Sequence, residues 1–119
     1  MTVTEIAKDL VALCKQGQFE EAMPRYYADD IVSVEADGPN PESRGIEAVK
    51  EKSKWWMENM TVHSVEVFGP FTNGDQFVAG FHMDVTNKMD GERSQMSEVG
   101  VYTVRDSKIV DERFFYHTK

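Results

Sequence analysis

The second half of the chain constrains the fold most, because nearly all of it has the pattern expected of β-strands. Turn sequences rich in Gly, Asn and Asp divide it into four strand-like segments: residues 61–68, 76–87, 93–105 and 109–117. The first half contains helix-like patterns around one short strand: helices at residues 4–15, 19–27 and 45–60, and the strand at residues 31–36. Helices at one end of the chain and strands at the other predict an α+β fold, with three helices packed on one face of a strongly curved antiparallel sheet.

The helical segments have apolar stripes that identify their buried faces. In the first, Ile6, Leu10 and Leu13 recur at helical spacing, with Thr4 as the expected N-cap and no capping-box acid in its usual place. In the second, Pro24 lies too deep for a first turn and predicts a short or kinked helix. We therefore expect each helix to bury one face against the sheet.

Length and charge exclude several classes of protein. The 119 residues have the size of one domain, and we expect a single domain over residues 1–119. The net charge of −8 argues against nucleic acid and anionic membranes as partners, since phosphate recognition needs a basic surface. No apolar run is long enough for a transmembrane helix. The single cysteine, Cys14, rules out an internal disulfide and is consistent with a reduced, cytoplasmic location.

The last two strand segments indicate which side chains share a cavity. A bent sheet with helices across its concave side leaves a cone-shaped pocket, which is typically apolar with a few polar groups that orient a ligand. The turn "DSK" is expected to close as a three-residue loop with a bulge, which places Arg105 opposite Ile109. That register pairs three sets of residues on one face: Tyr102 with Glu112, Gly100 with Phe114, and Glu98 with Tyr116. A slip of one residue would turn these side chains to the other face.

Two further elements contribute to the expected cavity. In the strand at 76–87, Phe81, Met83 and Val85 alternate with polar residues and are expected to face inward. In the third helix, Trp56 lies on the core stripe and is expected to line the cavity. The outer side of the sheet is then free to pair with another subunit.

The chain resembles the nuclear transport factor two-like superfamily, and within it the SnoaL-like and ketosteroid isomerase-like proteins. The matching stretches cover nearly the whole chain: "CKQGQFEEAMPRYYADDIVSVEADG", "SRGIEAVKEKSKWW" and "EVGVYTVRDSKIVDERFFY". The resemblance implies a cystatin-like, cone-shaped α+β barrel. It does not imply one activity, because the superfamily includes isomerases, cyclases, hydrolases, dehydratases and non-catalytic binding proteins.

The residues that serve ketosteroid isomerases do not carry over to this chain. The position of their general-base aspartate falls at Ala36, between two acids, and the position of their oxyanion-hole tyrosine falls near Leu10. The position of their oxyanion-hole acid falls near Gly100, with Glu98 two residues earlier on the same face. The resemblance therefore argues against 3-oxosteroid isomerisation, although not against proton transfer in general.

Two carboxylates are the candidate catalysts. Glu98 would have a raised pKa in an apolar cavity and could act as a general acid or base, or it could instead bond Tyr116 or face solvent. Glu35 could enter the same cavity or lie exposed at the end of its strand, whereas Asp37 is typical of a turn. Tyr116 or Tyr102 would donate a hydrogen bond to a developing oxyanion.

The remaining candidates belong to the pocket wall. The expected lining is Trp56, Tyr102, Phe114, Glu112 and Met83. The three histidines, His63, His82 and His117, lack the close spacing of a metal site, so neither a metal nor a cofactor is expected.

Three hypotheses about function stay open. The first is a cofactor-free enzyme that moves a proton on an apolar carbonyl or cyclic substrate. The second is a non-catalytic binder of small apolar molecules, or a dimeric interaction module. The third is a stress or regulatory protein with a vestigial pocket. In each case we expect a homodimer through the outer face of the sheet, partly from the family likeness.

Overall fold

A computed structural model describes residues 1–116 and shows an α+β fold, as predicted. The helices are α1 (Val3–Lys15), α2 (Ala22–Tyr26) and α3 (Ile46–Asn59), with a 3-10 turn at Phe19–Glu21. The strands are β1 (Tyr27–Val34), β2 (Glu42–Arg44), β3 (Met60–Asn73), β4 (Gln76–Asn87), β5 (Arg93–Arg105) and β6 (Lys108–Tyr116). None of the helices within residues 1–116 is both long enough and apolar enough to cross a membrane.

The sheet is mixed, so the prediction of a wholly antiparallel sheet was wrong. Its strands lie in the order β2-β1-β6-β5-β4-β3, and β1 runs parallel to β6 with Ser33 beside Glu112. The other neighbouring strands are antiparallel. The sheet is open, with β2 and β3 at its edges, and does not close into the predicted barrel. Strand periodicity reports which face a residue occupies but not its distant partner, so the parallel pair could not be foreseen.

The hairpin of β5 and β6 has the predicted cross-strand pairs but a different turn. Arg105 lies opposite Lys108, so the connection is a two-residue turn in which Asp106 and Ser107 have φ of 51° and 62°. A bulge between Thr103 and Val104 then restores the predicted pairs farther along: Tyr102–Glu112, Gly100–Phe114 and Glu98–Tyr116. The loop prediction was wrong and the pairing prediction is confirmed, because the bulge supplies the residue that the shorter turn omits.

Three element boundaries differ from the sequence prediction for local reasons. Thr2, not Thr4, caps α1 through a complete capping box with Glu5, which supplies the acid that appeared to be missing. The strand β3 continues past the predicted turn to Asn73, and its pairing with β4 shifts between Phe68 and Phe71 around Gly69-Pro70. The strand β1 spans Tyr27–Val34 rather than residues 31–36.

The core lies between the helices and the inner face of the sheet. The apolar stripe of α1 packs against β3 and β4, with Ile6 and Leu10 almost wholly buried. Alternate residues of β4 face it, including Phe81, Met83 and Val85, so this inward-facing prediction is confirmed. Full burial of each such side chain contributes roughly 1.5–3 kcal/mol. The inner sheet face continues past α1 into β5, β6 and β1, where polar residues begin.

Candidate active site

A cavity of about 740 Å³ lies between α1, α3 and the inner face of the sheet. Glu35, Glu98 and Glu112 all line it, so the two candidate carboxylates do share one cavity. The predicted pocket residues Trp56, Tyr102, Phe114 and Met83 also line it. Further apolar side chains surround the rest of the cavity: Leu10, Phe19, Met23, Val49 and Phe81. The wall is therefore apolar with a few acidic groups.

Glu98 is half-buried on β5, between Phe81 of β4 and Tyr116 of β6. Within residues 1–116 no hydrogen-bond donor and no basic group contacts its carboxyl directly. Burial and the negative charge of Glu35 together raise the pKa of Glu98 to about 7, although Lys52 partly opposes the rise. A carboxyl group with this pKa is present in both charge states at neutral pH, which suits it to accept or donate a proton.

Glu35 follows β1 directly and is held by two side chains. The Nζ of Lys52 donates to Oε2 of Glu35 over 2.8 Å, and the hydroxyl of Tyr116 donates to Oε1 over 3.3 Å. Tyr116 therefore bonds Glu35 rather than its cross-strand partner Glu98. Asp37 lies exposed in the following loop. Lys52 and Glu35 form an ion pair, whereas Glu98 has no such partner within residues 1–116.

Lys52 is a residue of the site that the sequence analysis missed. Besides Glu35, its Nζ contacts Oγ of Ser33 at 2.5 Å and lies 5.4 Å from the centre of the Phe114 ring. Its side chain is 29% exposed, far less than that of a typical surface lysine. A signal was present: Lys52 stands three residues after Val49 and four before Trp56, on the inward stripe of α3.

Glu112 forms the buried end of the same network. Its side chain is only 3% exposed, and it accepts hydrogen bonds from Ser33 over 2.8 Å and from Tyr27 over 2.5 Å. Burial raises the pKa of Glu112, while the hydrogen bonds from Tyr27 and Ser33 oppose that rise. Burial also holds the pKa of Tyr27 well above its ordinary value, so this hydroxyl remains a donor. The sequence analysis did not identify Tyr27 as a site residue, because it assigned residues 19–27 to a helix.

An aromatic group forms the floor of the cavity between Glu112 and Glu98. The ring of Tyr102 stacks on Phe77 with centroids 4.7 Å apart and meets the edge of Phe114 at 6.2 Å. Gly100 makes room for this arrangement, since a Cβ there would lie 2.9 Å from the Tyr102 ring. The ring that needs the space belongs to Tyr102 and not to Phe114, the cross-strand partner of Gly100.

The remaining reactive side chains within residues 1–116 do not form a second centre. Burial and the nearby carboxylates raise the pKa of Cys14 to about 12, so its thiol stays protonated. His63 bonds Thr86, and His82 bonds Ser97 and Gln95 on the outer side of the sheet. His117 lies outside the described residues. No group of three or more His, Cys, Asp or Glu side chains within residues 1–116 has the arrangement of a metal site.

Known structures share this fold. A Mesorhizobium loti protein named as a SnoaL-like polyketide cyclase and carbohydrate phosphatase is 54% identical, with a TM-score of 0.93 over 98% of this chain and 100% of that one. A Bacillus subtilis protein named as an isomerase has 17% identity and a TM-score of 0.81 over 98% of this chain and 90% of that one. A Xanthomonas campestris protein with a cystatin-like fold has 17% identity and a TM-score of 0.80 over 99% of this chain and 92% of that one. The last two show the fold alone.

The family comparison agrees with the structures. No curated protein sequence matches the chain. The SnoaL-like domain family matches residues 1–116, which include every helix and strand described above as well as all the cavity residues. This chain therefore belongs to the SnoaL-like domain family.

Proposed function

We propose that the cavity binds an apolar small molecule and that Glu98 transfers a proton to or from it. The observation that carries the proposal is the environment of Glu98, a carboxyl that receives no hydrogen bond from residues 1–116 at the wall of a mostly apolar cavity. A carboxylate in such a place is poorly solvated, which makes it a stronger base than an exposed glutamate. The pKa of about 7 allows it to take up and return a proton at neutral pH.

The chemistry of the site favours a carbonyl compound as the substrate class. A carbon next to a carbonyl is the kind of acid from which a carboxylate can remove a proton, and the apolar wall would bind the hydrocarbon part. The name polyketide cyclase, carried by the Mesorhizobium loti relative, is consistent with a carbonyl-rich substrate. The name carbohydrate phosphatase fits less well, because three carboxylates and one lysine would repel a phosphate group.

Hydrogen–deuterium exchange tests this function without knowledge of the natural substrate. Apolar cyclic ketones incubated with the protein in D₂O should exchange the hydrogens next to the carbonyl, and NMR measures the rate. We expect Glu98→Gln to abolish the catalysed exchange, since glutamine cannot accept the proton. Glu66→Gln, which changes an exposed glutamate on β3, is the matched control and should leave exchange unaltered.

The same experiment separates the enzyme from the alternative. Ketones that raise the melting temperature of the protein but never exchange would favour a non-catalytic binding protein. Exchange that persists at the same rate in Glu98→Gln would show that another group is the base.

We also propose that the outer face of the sheet joins two copies of the chain. A row of apolar residues crosses four strands there, with Phe68, Val99 and Phe115 exposed by 53%, 41% and 57%. Gly80 completes the row, and the Phe68 ring lies over it. An apolar patch of this kind is typical of an interaction surface.

Sedimentation velocity tests this dimer. The wild type should sediment as a dimer, and Phe115→Lys should convert it to a monomer. A wild-type monomer at micromolar concentration contradicts the proposal.

A further inference from the structure

We propose that Nζ of Lys52 binds the oxygen on which negative charge develops, so the ligand is an apolar molecule with an enolisable carbonyl group. This inference rests on the proposed function of Glu98 and adds to it the group that stabilises the product of proton removal. It assigns Lys52 a catalytic role in which the ammonium contacts the substrate oxygen directly.

The hydrogen bonds of Lys52 leave one donor for a ligand. An ammonium group has three N–H donors, and Ser33 and Glu35 accept two of them. Within residues 1–116 no third acceptor contacts Nζ, and Lys52 lines the cavity itself. The Phe114 ring at 5.4 Å limits where a ligand oxygen could approach. The remaining donor is therefore available at the cavity wall.

A buried hydrogen-bond network fixes the position of the Lys52 ammonium. Ser33 is fully buried, and its hydroxyl donates to Glu112, which also accepts from Tyr27. This arrangement directs a lone pair of the Ser33 oxygen toward Lys52. A donor fixed before the reaction stabilises developing charge more effectively than one that must first reorient. Tyr27, Ser33 and Glu112 are thus positioning residues for Lys52.

The charges of the site balance through the proposed step. Glu98 as carboxylate takes a proton from the carbon beside the carbonyl. The electron pair of that C–H bond forms a C=C bond, and the π electron pair of the carbonyl moves to its oxygen. The substrate becomes an enolate while Glu98 becomes neutral. Lys52 then faces two anions, Glu35 and the enolate oxygen, and bonds both. Where the substrate also has a C=C bond next to that carbon, the product is a dienolate, and return of the proton from Glu98 to its far carbon would complete an isomerisation.

Lys52 is better placed for this role than the two tyrosines considered from the sequence. Tyr116 directs its hydroxyl proton to Glu35, and the hydroxyl of Tyr102 lies over Gly100 in the buried aromatic floor. Tyr116 would have to leave this position to reach a ligand oxygen. Tyr102 lines the cavity as Lys52 does, but its neutral hydroxyl would stabilise an enolate oxygen less than the charged ammonium of Lys52.

An ionisable probe and a non-ionisable analogue test the role of Lys52. The probes are 4-nitro-1-naphthol, whose ionised form has its own visible absorbance, and 1-methoxy-4-nitronaphthalene. The measurement is made in Glu98→Gln protein, because the proton of Glu98 would otherwise couple to that of the naphthol. The other charged or titratable groups around position 98 are Glu35, Lys52, Glu112, Cys14, Tyr102 and Tyr116, and of these only Lys52 is varied.

We expect Lys52 to lower the pKa of the bound naphthol below that of the free compound. Addition of Lys52→Met should raise the bound pKa and weaken naphtholate binding about tenfold or more, as for loss of a hydrogen bond from a charged group. Affinity for the methoxy analogue should change little. Lys54→Met is the matched control, since Lys54 is 78% exposed on the same helix and should alter neither probe. If Lys52→Met does not fold, Lys52→Gln replaces it.

Each outcome separates this inference from the proposed function. A bound naphthol pKa that Lys52→Met leaves unchanged overturns the role of Lys52 alone, as does an equal loss of affinity for both probes. Failure of both probes to bind even the wild-type cavity would overturn this inference together with the apolar ligand site.

Discussion

Glu98 and Glu112 lie on the same inner face of neighbouring strands, with one row of residues between them, yet their surroundings differ in kind. Glu112 receives hydrogen bonds from Tyr27 and Ser33 and is almost wholly buried. Glu98 is half-buried, opens to the cavity and has no donor within residues 1–116. Burial raises the pKa of both carboxyls, but only at Glu112 do hydrogen bonds oppose the rise.

The difference in hydrogen bonding explains how one sheet can contain a structural carboxyl and a reactive carboxyl close together. A buried group with all its hydrogen bonds made is costly to alter, because removing it leaves its former partners unsatisfied. A buried group without such bonds is destabilising when charged, and it keeps its lone pairs free for a ligand. Substitutions at the two positions should therefore change stability in opposite directions.

The largest effect is expected at Glu112. Glu112→Ala leaves the hydroxyls of Tyr27 and Ser33 buried without their acceptor, and should lower the free energy of unfolding by about 3 kcal/mol. Urea unfolding followed by circular dichroism measures it. Asp111→Ala is the control, because Asp111 is the neighbouring residue and is partly exposed. It should lower the free energy of unfolding by well below half of that value. Equal losses at the two positions would mean that the network around Glu112 contributes nothing special.

A smaller effect of opposite sign is expected at Glu98. Its pKa is about 7 when folded and 4.5 ordinarily, so between these values the folded protein binds more protons than the unfolded chain. Stability of the wild type should therefore fall as pH rises from about 5 to about 7, and level off above. Glu98→Gln lacks this titration. The difference in free energy of unfolding between Glu98→Gln and the wild type should therefore shift by ~2 kcal/mol in favour of the variant from pH 5 to pH 8. Parallel stability curves for the two proteins would contradict the assigned environment.

The smallest effect is expected at the aromatic row between the two carboxyls. Gly100→Ala would bring a Cβ to 2.9 Å from the packed Tyr102 ring, which should cost roughly 1–2 kcal/mol. Gly80→Ala is the matched control on the adjacent strand, where the nearest side-chain atom would be 3.6 Å away in ordinary contact. Thermal denaturation compares them, and equal melting temperatures would show that Tyr102 can move aside freely.

Much of the fold could be predicted from periodicity and turn residues. The two long helices, the inward face of β4 and the pairs between β5 and β6 follow from alternation within the segments. The parallel partner of β1 could not be predicted, because strand pairing between distant segments leaves no periodic trace. The cap of α1 was misplaced because Thr2 and Thr4 are both plausible caps, and only Thr2 has Glu5 three residues on.

The site was predictable only in part, and for a similar reason. Glu98 and Glu35 were identified as acids on inward-facing or strand-end positions, and they do share a cavity. Lys52 was missed because a charged residue in a helix is usually solvated, although its place on the apolar stripe was readable. Ser33 and Tyr27 depend on the parallel pairing of β1 with β6, which brings them beside Glu112.

The bulge in the last hairpin decides which residues of β6 reach the inner face of the sheet. Its extra residue is Val110, because Val104 pairs with Ile109 and Thr103 pairs with Asp111. Without a bulge in a hairpin of the same length, the pairing set by the tight turn would continue, and the inner face would carry Asp111, Arg113 and Phe115 in place of Glu112, Phe114 and Tyr116. Deletion of Val110 would instead remove the bulge and keep the present pairs. When SnoaL-like sequences are aligned, a one-residue gap at the bulge is therefore compatible with an unchanged pocket wall.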